Sequence, residues 1–60
     1  MTKAWYVSIC SDLDLAINEV EERIPCFTNL TFLNNGLAIF AIECRDYDIA
    51  FVERMIAPFV

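Results

Sequence analysis

Residues 26–45 read CFTNLTFLNNGLAIFAIECR, and this stretch decides the fold. At its centre Asn35-Gly36 separates two runs rich in β-branched, aromatic and aliphatic residues. Asn-Gly is the strongest short-range signal for a two-residue hairpin, because both turn positions need a positive φ. With those two residues as the loop, Asn34 opposes Leu37. One face then pairs Phe32 with Ile39, Leu30 with Ala41 and Thr28 with Glu43. The other pairs Leu33 with Ala38, Thr31 with Phe40, Asn29 with Ile42 and Phe27 with Cys44. Both faces carry large apolar groups, and residues 37–42 (LAIFAI) contain no polar side chain at all. Uniform apolarity predicts a central strand covered on each side.

Working outward, residues 3–10 (KAWYVSIC) place Trp5, Val7 and Ile9 at period two, which predicts another strand. Ser11-Asp12-Leu13-Asp14 reads as a helix start, with Ser11 as the capping hydroxyl and acids in the first turn, where the helix dipole favours them. Leu13, Ile17, Val20 and Ile24 then form one apolar stripe at spacings of four, three and four. Pro25 stops this helix near Arg23 or Ile24. Downstream, Asp46 or Asp48 is placed to cap a final helix whose stripe is Ile49, Val52 and Ile56, with Phe51 and Met55 adjoining and Pro58 limiting it.

The order β-α-β-β-α follows. It resembles a split β-α-β, ferredoxin-like unit that stops before a fourth strand, which implies a third strand lying between the first and second. Right-handed crossover puts both helices on one face of a three-stranded antiparallel sheet, in an α+β domain spanning 1–60. The first strand is then left with a free edge.

The chain has 60 residues, 58% apolar and 22% charged, with nine acids against four bases, no histidine and a formal charge of -5. A chain this short buries only about 60% of the surface its unfolded form exposes, so the apolar fraction is first a requirement of a very small core. Lys3, Arg23, Arg45 and Arg54 are scattered and outnumbered, which argues against direct binding of DNA or RNA. Anionic membranes are disfavoured for the same reason. No run reaches the ~20 apolar residues of a spanning helix, and residues 4–10 make a poor signal peptide. Cys10, Cys26 and Cys44 form neither an even set nor a closely spaced pair, so reduced thiols in a cytoplasmic setting are expected, with no metal and no cofactor.

Catalysis at neutral pH needs a group poised there, and histidine is missing. Glu21-Glu22 and Asp46-Asp48 sit where capping and solvation account for paired carboxylates. Cys10, beside a helix start, lacks a base to activate it. The single Gly36 lies at a hairpin tip and cannot build a phosphate cradle. No catalytic residue set emerges, and the chain reads as a non-enzyme. Trp5, Tyr6, Phe27, Phe32 and Phe40 resemble a base-stacking platform in type but have no basic neighbours, so core packing is expected for them. Two helices hide only one sheet face, however, and an exposed apolar face marks association, with strand addition at the free edge as a second route.

In size, acidity and lack of catalytic equipment the whole chain resembles small phage-encoded inhibitors of host machinery, the anti-CRISPR proteins foremost. That resemblance implies stoichiometric binding to a host protein or nucleoprotein complex, with acidic side chains occupying a basic groove meant for DNA or RNA. The residues expected to do so are Asp12, Asp14, Glu21 and Glu22, then Asp46, Asp48 and Glu53. The alternative is a homo-oligomeric structural or ligand-sensing module, in which two sheets pair through the first strand or stack on their apolar faces. A stable monomer in solution favours the inhibitor, and an obligate dimer favours the module.

Overall fold

A computed structural model describes residues 2–60. Strand β1 (Thr2–Ser8), helix α1 (Ser11–Arg23), strands β2 (Thr28–Asn34) and β3 (Leu37–Glu43) and helix α2 (Asp46–Ile56) follow in that order, with a 3-10 turn over Ala57–Phe59. The strands form one antiparallel sheet in the order β1-β3-β2. This is the ferredoxin-like split β-α-β with three strands, as the sequence predicts. The hairpin register is also the predicted one, from Asn34 opposite Leu37 to Thr28 opposite Glu43. Asn35 and Gly36 have φ of 52° and 79°, the left-handed pair a type I′ turn requires. On the other side of β3, Trp5 pairs with Phe40, Val7 with Ala38 and Lys3 with Ile42.

Both helices lie on one face of the sheet. Leu13, Ile17, Val20 and Ile24 from the first helical segment, and Ile49, Val52 and Ile56 from the second, share one core with Trp5, Val7, Ala38, Phe40, Ile42 and Cys44. Each fully buried aliphatic of this kind contributes roughly 1.5–3 kcal/mol by leaving water. Strand β2 adds no buried side chain, so it overhangs the shared core.

Four expectations need correction. Strand β1 ends at Ser8, short of Ile9 and Cys10, because the chain is already turning into α1. Cys10, not Ser11, holds the N-cap position of α1, and no side chain caps that end; the Cys10 carbonyl accepts from the Leu13 N–H at 3.2 Å. Arg45 is likewise the N-cap of α2, with no side chain capping that end, so Asp46 and Asp48 lie inside the first turn, where the helix dipole favours them. Finally, β3 is covered on one face only. Its Ala38, Phe40 and Ile42 are buried, whereas Leu37, Ile39 and Ala41 belong to the face without helices.

Candidate functional site

Register and pleat fix what the uncovered face displays, since alternate residues on each strand point the same way. Four rows cross the sheet in the order β1, β3, β2: Thr2, Glu43, Thr28; then Ala4, Ala41, Leu30; then Tyr6, Ile39, Phe32; then Ser8, Leu37, Asn34. The two middle rows contain no charge and no polar group except the Tyr6 hydroxyl. Tyr6 is 64% exposed, Leu30 58%, Phe32 57% and Leu37 43%, values that place four large apolar side chains of one surface in water. The expectation that the sheet aromatics are core residues therefore divides. Trp5 and Phe40 are buried and Phe27 packs against the core edge, but Tyr6 and Phe32 face solvent. Sequence reasoning assigned this face no site residues, although the hairpin register together with a count of two helices was signal enough to find them.

The opposite layer holds the charge. Helix α1 carries Asp12, Asp14, Glu19, Glu21 and Glu22 against Arg23, a net of four negative charges. Helix α2 carries Asp46, Asp48 and Glu53 against Arg54, a net of two more. The remaining side chains, Lys3, Arg45 and Glu43, come to one positive charge, which restores the total of -5. The negative surplus of the molecule thus resides wholly in its helices.

The seven acids singled out from the sequence fall into two groups. Asp12, Asp14, Glu22 and Asp46 are exposed and make no side-chain hydrogen bond or ion pair to another of the described residues. The other three are engaged within the fold. Glu53 accepts from Lys3 Nζ at 2.8 Å, tying α2 to β1. Glu21 accepts from Asn29 Nδ2 at 2.8 Å, tying α1 to β2. Asp48 accepts from Arg45 Nε at 2.8 Å across the first turn of α2, and this bond pushes the Arg45 guanidinium further above its ordinary pKa. Arg45 also stacks on Tyr47, 4.7 Å from the ring centroid.

Three shallow depressions lie among the described residues. One, of about 320 Å³, is lined by Cys26, Thr28, Glu43, Cys44 and Arg45. A second, of about 250 Å³, lies between the start of α1 and the overhanging strand, beside Ile9, Cys10, Thr31 and Leu33. The third, of about 490 Å³, lies on the helical layer beside Leu15, Glu19, Glu22 and Met55. Among the described residues no group of three His, Cys, Asp or Glu side chains is placed to hold a metal ion, and no helix is long and apolar enough to cross a membrane. No family model, curated protein or solved structure matches the chain.

Proposed function

We propose that this protein works by stoichiometric binding, its acidic helical layer docking on a basic, nucleic-acid-binding surface of a host protein complex, in the manner of phage-encoded anti-CRISPR inhibitors. One observation carries the reading: the helices hold the whole negative surplus, and five of their eight acids, Glu19 along with Asp12, Asp14, Glu22 and Asp46, have no intramolecular partner among the described residues. A layer of like charge held on rigid helices raises association rates with a basic groove and competes for it with nucleic acid. Asp12, Asp14, Glu22 and Asp46 are the first contacts in this account. Glu21, Asp48 and Glu53 contribute charge while already held by Asn29, Arg45 and Lys3.

Replacing Asp12, Asp14, Glu21 and Glu22 together by Lys tests this. Immobilised wild-type protein should retain a nucleoprotein complex from host lysate, and both added nucleic acid and salt should release it. The reversed variant should associate on the order of 10–100-fold more slowly at low ionic strength and lose that salt dependence. Retention unchanged by the four substitutions counts against the proposal.

The bare sheet face favours a second reading, a homo-oligomeric structural or ligand-sensing module. Because the acids and the apolar rows occupy opposite layers, self-association leaves the helices free, and mass in solution no longer separates the two readings.

A further inference from the structure

We infer that the uncovered sheet face is the contact between two copies of this chain, stacked face to face about a twofold axis that runs across the strands between the Ala4-Ala41-Leu30 and Tyr6-Ile39-Phe32 rows. The inference does not depend on what the helical layer binds. It rests on relief, charge and area.

The relief comes from the two middle rows. Tyr6, Ile39 and Phe32 make a ridge, and Ala4 and Ala41 beside them make a trough. A twofold axis between the rows exchanges them, so Tyr6 of one copy lies over Ala4 of the other, Ile39 over Ala41, and Phe32 against Leu30. Bulk meets hollow at four points of the dimer, Tyr6 over Ala4 and Ile39 over Ala41 from each side, as a self-complementary isologous contact demands, while Phe32 and Leu30 meet as two large apolar groups. The same operation exchanges the outer rows, setting Thr2 and Thr28 against Ser8 and Asn34 at the rim of an apolar centre. Glu43 then meets Leu37 at the rim instead of its own copy. An axis along the strands would instead set ridge on ridge and Glu43 on Glu43.

Charge excludes the edge-to-edge alternative more strongly than the stacked one. Layers of packed secondary structure lie ~10 Å apart, so the two helical layers of a stacked pair are roughly 30 Å from each other, more than three times the ~8 Å screening length at physiological salt. Joining two sheets through β1 would bring the negative α2 helices alongside. Area sets the strength. Three strands at ~4.8 Å spacing and seven residues at ~3.4 Å give a flat face of roughly 340 Å² per copy. Two such faces total about 680 Å² before side-chain relief is added, below the roughly 1,200 Å² of a standard stable interface, which corresponds to a weak, reversible dimer.

Sedimentation of the purified full chain from about 1 to 300 μM, with no other component, tests this. A monomer–dimer equilibrium in the micromolar range is expected. Ala41→Arg fills the trough and Phe32→Lys charges the ridge, and each should weaken the dimer on the order of 30-fold or more. Both positions are outside the core, and an unchanged helical signal confirms that the variants fold. Glu22→Lys, on the far layer, should leave the dimer intact. A wild type that stays monomeric throughout the range, or a dimer that survives both face variants, overturns the inference, and neither result bears on capture of a host complex.

Discussion

Cys44 shows how a single side chain can carry a pH dependence in a protein without histidine. It is 3% exposed, and burial, reinforced by the nearby Asp48 carboxylate, pushes its thiol above the ordinary value. The fold therefore favours the neutral thiol. Well below about pH 8.5 folded and unfolded chains are both protonated at this position and stability is indifferent to it. As pH rises further, the unfolded thiol ionises first, and stability falls until the folded pKa is also passed. Denaturant midpoints between pH 7 and 10 should decline more steeply for the wild type than for Cys44→Ala; parallel declines would show that burial does not oppose the thiolate. Cys44 was readable from the hairpin register as lying opposite Phe27, on the same face as Phe40 and Ile42. Its coupling to Asp48 was not, since that depends on how the chain turns from β3 into α2.

At the scale of elements, periodicity and turn chemistry were sufficient where they left one solution. The stripes of both helices emerged as buried residues, and Asn35-Gly36 set the hairpin register without an error of one residue, because a slip would move every side chain to the other face. Helix starts were less legible. Ser11 and Asp46 have the right chemistry for caps, yet both sit one residue inside their helices, since the capping position is set by where the preceding strand releases the chain. Ser11→Ala should accordingly change unfolding free energy by less than about 0.5 kcal/mol, not the ~1 kcal/mol typical of a lost cap. A loss of a full kcal/mol in a denaturant titration would place the hydroxyl back in the capping role. The apolar β3 run was misread as doubly covered for a similar reason: hydrophobicity reports that a face avoids water, not what hides it.

For the whole molecule, smallness governs stability. A chain of this length has only roughly 3–9 kcal/mol in hand, while Ile42, fully buried at the centre of the sheet, should cost about 3–4 kcal/mol when cut to Ala. Ile42→Ala is expected to populate the unfolded chain measurably at 25 °C. Emission from Trp5, the lone tryptophan, buried beside Lys3, reports that population directly, and a cooperative transition like that of the wild type would mean that the core repacks. The candidate surfaces were half legible: the acids could be named from the sequence, but their confinement to one layer follows only from the topology.

That confinement gives the molecule a pronounced electrical axis. Near any cationic surface it experiences a torque before it makes contact, turning its helices forward while the greasy side trails behind. Approach and orientation are thus settled at a distance by the same arrangement of ions, leaving short-range fit to decide only whether the encounter lasts.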